Sequence, residues 1–218
     1  RRNALYGERL QLDIMNMLFD TCEDIVLNTK GAENYESFKL TTLGVLGVDF
    51  EINKSEFENI DQQVLVEKLY DEAFARYKRK NQDIAQQSLP IFKDIEANRG
   101  ATIENILVPF TDGKRQIGVA ANLKKCLSTE NQELVLAMEK MLTLAIIDQL
   151  WKEHLREMDD LKQSVQNAVY EQKDPLLIYK FEGFELFKRF IAKVNEDTIS
   201  FLMKANLPVE EPSQVQEA

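Results

Sequence analysis

The stretch from Leu144 to Ala168 constrains the fold more than any other. Leu144, Ile147, Trp151, His154, Met158, Leu161, Val165 and Ala168 recur in steps of three and four, the signature of a helix lying along a second helix. "NAVYEQKDP", residues 167–175, interrupts the pattern. Asp174-Pro175 is a good restart, because aspartate caps a helix and proline suits its first position. Beyond the break, Leu177, Phe181, Phe184, Phe187, Ile191, Val194 and Phe201 form a matching stripe. Two long helices joined by a short turn must run antiparallel. Thr129-Glu130-Asn131-Gln132 reads as a capping box opening the first of them. At about 1.5 Å per residue, residues 130–168 would reach roughly 58 Å. Trp151 is expected to be largely buried in the seam between the two helices.

The remaining chain also reads as mainly α. Residues 3–28 carry Leu5, Leu10, Ile14, Met17, Leu18, Ile25 and Val26 among charges, which predicts a long amphipathic helix ending near Thr29-Lys30-Gly31. "FKLTTLGVLGVDFEI" mixes β-branched residues with two glycines and is expected to be a loose or short-strand segment. Ser55-Glu56-Phe57-Glu58 fits a capping box. Val64, Leu65, Leu69, Phe74 and Tyr77 then mark a helical face, with Pro90 expected to kink or restart the helix and Asn98-Arg99-Gly100 to stop it. Ile106–Phe110 and Gln116–Ala120 flank Asp112-Gly113, a strong hairpin signal, and Pro109 puts its strand at an edge. Eight glycines and five prolines in 218 residues are few, as a helical protein requires.

The sequence holds no familiar catalytic constellation. It has no G-x-x-x-x-G-K-[ST] phosphate cradle and no G-x-G-x-x-G. His154 is the single histidine, so H-E-x-x-H is impossible, and Trp151 stands where a Glu-x-x-His di-iron motif needs glutamate. As a seam residue it is better read as hydrogen-bonded to the facing helix. Glu157, Asp159 and Asp160 alternate with Lys152, Arg156 and Lys162, a solvated and salt-paired face. Cys22 and Cys126 lie far apart with no metal-ligand partner nearby and read as reduced thiols. A net charge of −10 argues against general nucleic-acid binding and against wide adsorption onto anionic lipid. The longest apolar run falls far short of the about 20 residues of a membrane span. Arg1-Arg2 stands in apparent helix with no methionine, and the chain ends in the polar "NLPVEEPSQVQEA"; both suggest an excised fragment.

Tyr170 is unusual at the tip of a turn, where small polar residues dominate. Either it packs back on the base of its own turn, as a cap over Val165 or Leu176, or it is presented to something else.

"LWKEHLREMDDLKQ", residues 150–163, followed by "YEQKDP", residues 170–175, resembles the C-terminal helical region of the SecA family, the bacterial preprotein translocase ATPases. "RRNALYGERL" at residues 1–10 is similar to the later half of that family's long scaffold helix. "FELFKRFIAKVNEDTISFL", residues 184–202, is similar to the return helix of its two-helix finger. The resemblance implies the end of a scaffold helix over 1–30, a helical wing over 31–128 with its hairpin near 103–121, a two-helix finger over 129–205, and a linker over 206–218. It implies a finger tip that enters the SecY channel, where Tyr170 would touch the translocating preprotein within a loop that includes Ala168, Val169, Glu171 and Gln172. Many members carry arginine and glycine where this chain has Ala168 and Val169, so the loop is stiffer and lacks one cation. No cofactor is expected in this chain: ATP and magnesium belong to motor domains that precede it, whose turnover the region restrains until a partner engages. The implied partners are the SecY channel, the preprotein and those motor domains, with a dimer as one assembly of the whole protein. The implied location is cytoplasmic, peripheral to the inner face of the plasma membrane. An independent helical adaptor that binds other proteins through a helix face is the alternative.

Overall fold

The computed structural model describes residues 9–30, 34–99, 103–165 and 174–208. In chain order these form α1 (Leu10–Lys30), α2 (Tyr35–Leu46), α3 (Lys54–Asn59), α4 (Gln62–Arg99), β1 (Asn105–Thr111), β2 (Gln116–Asn122), α5 (Leu123–Ser128), α6 (Gln132–Ser164) and α7 (Pro175–Lys204). The chain is mainly α, with one antiparallel two-stranded sheet.

α1 lies at the centre, packed against α2, α4 and α7. Leu10, Ile14, Leu18, Cys22, Ile25 and Val26 bury its one apolar face. Their three-and-four spacing is what a helix needs to present one side to a core. That core runs without a break from α1 to the C-terminal half of α7. A smaller cluster of Leu161, Val165 and Leu186 stands apart, toward the distal ends of α6 and α7.

The segment expected to be loose or strand-like is helical in its first half. Asn34 caps α2 by accepting a hydrogen bond from Ser37 N at 2.9 Å, and Gly47, at φ 65°, closes it in the left-handed region. Only a residue without a β-carbon takes that turn cheaply. Between these stops, burial of Phe38, Thr42 and Leu46 outweighs the weak helix preference of the β-branched residues. The second half behaves as expected: Val48, Phe50 and Ile52 are buried alternately with exposed neighbours, as in an extended chain with one face on a core.

Two capping expectations need correction. Asn53, not Ser55, caps α3, accepting from Glu56 N at 2.8 Å. A second, longer helix begins after Asp61, whose carboxylate accepts from Gln63 N at 2.9 Å. Thr129 does contribute to the start of α6, but its hydroxyl accepts from Glu133 N at 3.1 Å while Asn131 occupies the cap position at φ 62°. α4 neither breaks nor restarts at Pro90 and runs on to Arg99.

The anticipated hairpin forms about Asp112-Gly113, with Val108 opposite Val119 and Pro109 opposite Gly118. Gly113, at φ 88°, sits in its turn, and Asp112 accepts from the amides of Lys114 and Arg115 at 2.9 and 2.7 Å. The free edge of β1 is touched once more, where Thr111 and Asn206 exchange amide hydrogen bonds of 3.0 and 2.9 Å. This contact ties the chain beyond α7 to the sheet.

Candidate functional site: a two-helix arm

α6 and α7 form an antiparallel pair, each much longer than the core it shares with the rest of the molecule. α7 starts where Asp174 accepts from Leu176 N at 2.9 Å and Pro175 occupies the first turn, the stop-and-restart expected from Asp174-Pro175. Near the body, Leu142, Ile146 and Leu150 of α6 and Val194, Ile199 and Leu202 of α7 are buried. Midway, aromatic rings take over. His154 stacks on Phe190 with centroids 5.0 Å apart, and Trp151 meets Phe190 edge-on at 5.5 Å. Farther out, Gly183 lets the helices close together: a β-carbon there would stand 3.3 Å from Met158 Cε. Leu161, Val165 and Leu186, with Met158, Ile178 and Tyr179 around them, fill the distal end.

The distal seam therefore contains His154, Met158, Leu161 and Val165, with His154, Leu161 and Val165 buried and Met158 half-buried. Trp151 corrects the sequence reading. It is 43% exposed, because the buried line of α6 climbs through Leu142, Ile146 and Leu150 to His154, one position off the line through Leu144, Ile147 and Trp151. Its ring covers the flank of the His154–Phe190 stack. Nor does His154 hydrogen-bond across the seam: its Nδ1 is buried without a partner, and ring stacking holds it.

The second stripe is also turned. Val194 and Phe201 are buried, but Leu177, Phe181, Phe184, Phe187 and Ile191 are all exposed, Phe181 by 66%. The residues that face α6 are Ile178, Gly183, Leu186 and Phe190, between the exposed ones, and of the exposed ones Phe187 still reaches the seam, meeting the His154 ring edge-on at 6.0 Å. α7 is apolar on two sides, and periodicity alone cannot say which side meets its partner. The outcome is a continuous apolar stripe of leucine, phenylalanine and isoleucine along the outer face of α7. Large exposed patches of this kind mark interaction surfaces. Tyr170, with Ala168, Val169, Glu171 and Gln172, lies outside the described residues.

Glu157, Asp159 and Asp160 and the cations Lys152, Arg156 and Lys162 are all exposed, the solvated face that their alternation suggested, and ion pairs form at neighbouring positions. Lys193 pairs with Glu153 across the two helices at 3.6 Å, and Lys188 pairs with Glu185 at 2.7 Å. No group of three or more metal-ligating side chains occurs among the described residues. Cys22 and Cys126 are free and buried. Burial pushes the Cys22 thiol up to about 12 and the Cys126 thiol up to about 11, which leaves little thiolate for nucleophilic chemistry near neutrality. No described helix is long and apolar enough to cross a membrane.

Sequence reasoning missed a second polar feature, where the arm joins the body. Tyr77 of α4 donates its hydroxyl to Oε1 of Glu139, on α6, at 2.6 Å. Lys80 of α4 donates to the Ala205 carbonyl at 3.2 Å, and Lys204 donates to the Gly44 carbonyl at 2.6 Å. Asn131, fully buried, is hydrogen-bonded to Ser88 at 2.8 Å. A glutamate within an otherwise apolar helical face is the one signal that could have pointed there.

Comparison with known proteins agrees with the architecture. The description of the SecA Wing and Scaffold domain family matches residues 1–206. The protein translocase subunit SecA of Cytophaga hutchinsonii is 51% identical over 217 residues, covering 100% of this chain and 19% of the relative. The SecA subunit of Bacteroides fragilis is 45% identical over 217 residues, again 100% of this chain and 19% of the relative. That of Porphyromonas gingivalis is 40% identical over 215 residues, 98% of this chain and 19% of the relative. The chain thus spans about a fifth of the length of the curated relatives it matches. With its central helix, hairpin-bearing body and two-helix arm covered from end to end by that match, the chain belongs to the SecA wing and scaffold domain family.

Proposed function

We propose that this chain is the mechanical part of a Sec protein translocase, linking an ATP-hydrolysing motor to a polypeptide that is being moved. The observation that carries this reading is the arm itself. It pairs a stiff, packed seam with an unpartnered apolar stripe along α7, and a stripe of that size needs a further surface to cover it. In this reading α1, α6 and α7 act as scaffold, the elements from α2 to α5 form the wing, and the α6–α7 pair is the finger. The tip enters the cytoplasmic mouth of the SecY channel, and Tyr170 there touches the preprotein. An aromatic ring with one hydroxyl suits a substrate of every composition, since it offers apolar faces and one polar handle. The stripe on α7 rests on other parts of the longer protein, at the inner face of the plasma membrane.

ATP and magnesium act in the motor, not in this chain. Calorimetric titration with ATP is expected to give no saturable heat, and a saturable isotherm would overturn that assignment. The finger assignment is tested by crosslinking in the complete translocase. Cys22 and Cys126 are changed to alanine, since both are buried, Tyr170→Cys is introduced, and a preprotein with single cysteines is stalled in transit. An ATP-dependent disulfide from position 170 to the stalled chain is the expected result. Absence of that adduct, with adducts from a control position on the channel-facing surface, would return Tyr170 to a cap on its own turn.

A further inference from the structure

Burial along the arm falls away at one level. Leu161 is the one buried residue of α6 beyond His154, and Leu186 is the one buried residue of α7 before Phe190. With Val165, just past the end of α6, they form the distal cluster, which shares no member with the main core. A layer of rings separates the two: His154, Phe187 and Phe190, with centroids 5.0 to 6.0 Å apart. Farther out, Gly183 sits mid-helix, where glycine weakens a helix relative to alanine. One flank of the arm is open beside the distal cluster. A groove of about 680 Å³ there has Leu161 and Leu186 in its lining, and it carries four carboxylates, Glu157, Asp160, Glu182 and Glu185, against one cation, Arg189. Like charges lining one groove repel. The ion pair that joins the helices, Glu153 with Lys193, lies on the body side of His154.

We propose that the distal arm, residues 157–165 with 175–189, is a separate cooperative unit that opens and recloses while the inner arm and the body stay folded. Short helices are marginal in water by themselves, and the packing of an apolar face supplies most of their stability. Here that face is the small distal cluster. Opening the inner arm would instead uncover Leu142, Ile146, Leu150, Val194 and Leu202 of the main core. Leu177, Phe181, Phe184 and Phe187 are exposed in the closed arm already, so they do not oppose its opening. Regions with few buried apolar contacts open at the low end of a protein's range of local stabilities. The stiffness of the arm then belongs to its inner half. Within the finger reading, that half is the lever, and the distal unit lets the tip yield to chains of different bulk. This use rests on the finger reading, whereas the opening is a property of the chain itself.

The test is native-state amide hydrogen exchange of this chain across low denaturant concentrations, read residue by residue by NMR. Amides of residues 158–164 and 180–188 are expected to share one opening, with protection at least roughly tenfold below that of residues 142–150 and 194–202. Their protection should also fall more slowly with denaturant, because less surface is exposed when they open. Ile199→Val separates this opening from global unfolding. Ile199 is buried in the main core, so the substitution raises the closed and the distally open states alike. It should lower inner protection roughly threefold to tenfold and leave distal protection within about twofold of the parent. Ile146→Val, in the same core on α6, is the second variant with the same expectation. One common protection level with one denaturant slope along the arm would overturn the proposal. So would an equal fall of distal and inner protection in either variant. A missing crosslink from position 170 would leave these results untouched, so the finger reading and this proposal fail separately.

Discussion

Single residues divide this molecule into positions the chain must keep dry and positions it leaves open. Leu186 and Trp151 show the contrast. Truncating Leu186, buried at the distal end of the arm, is expected to cost about 2–5 kcal/mol as Leu186→Ala. Trp151→Ala, despite removing a larger side chain, should cost only roughly 1–2 kcal/mol, because nearly half of the ring already faces water. Denaturant titration of both variants decides it, and a larger loss at Trp151 would restore the buried register. Glu139 makes a prediction about pH. Burial raises its carboxyl, against the opposing pull of Tyr77, Lys80 and Gln11, so the folded chain holds that proton at pH values where the unfolded chain has released it. Stability is then lost as pH rises from the ordinary carboxylate range through the folded value. Lys80 works at the other end. Burial lowers it to about 8, so its cost is fully present below that pH and is relieved as pH climbs toward the ordinary lysine value. Thermal unfolding across pH should show a shallower loss through the carboxylate range in Glu139→Gln than in the parent, and the alkaline limb should move as well, because Glu139 is one of the groups acting on Lys80.

At the scale of elements, helices are decided by their stops and strands by their turns. The hairpin was legible because Asp112-Gly113 fixes a turn between two apolar runs, and nothing else in the chain competes for those residues. α2 was not, because its helix depends on Asn34 and Gly47 at its ends and on tertiary burial of Phe38 and Leu46, none of which appears in local propensity. The arm was legible as an antiparallel pair, since Asp174-Pro175 supplies a stop and a start. Its facing was not, because α7 offers an apolar line through Phe181 and Phe184 and another through Ile178, Leu186 and Phe190. Gly183 marks the facing line: Met158 Cε lies over its backbone, 3.3 Å from where a β-carbon would stand. Alanine at that position should be nearly neutral or stabilising by up to about 1 kcal/mol, since helix propensity improves and Met158 Cε, 3.3 Å from the new carbon, is the flexible end of its side chain. Gly183→Leu should instead wedge the helices apart and lower the melting temperature. A stabilising leucine would mean that the packed face of α7 has been misassigned.

At the scale of the whole molecule, the decisive fact is that the core is continuous from α1 to α7 while, among the described residues, the outer line of α7 is left exposed. A chain that needed only its own fold would have no reason to place Leu177, Phe181, Phe184 and Ile191 in water, and 218 residues with a net charge of −10 include ample polar side chains for that face. Folding of this chain therefore does not require the stripe. Replacing Phe181 and Phe184 together by serine should change the folding stability of this chain by no more than about 0.5 kcal/mol each, the ordinary range for surface substitutions. The same change should sharply reduce binding of a hydrophobic dye to the chain and impair ATP-driven transport by the complete translocase. If stability falls by several kcal/mol instead, those rings belong to the core and the arm is rotated from the arrangement described. If stability and transport both remain intact while dye binding drops, the stripe is exposed yet carries no contact that transport uses.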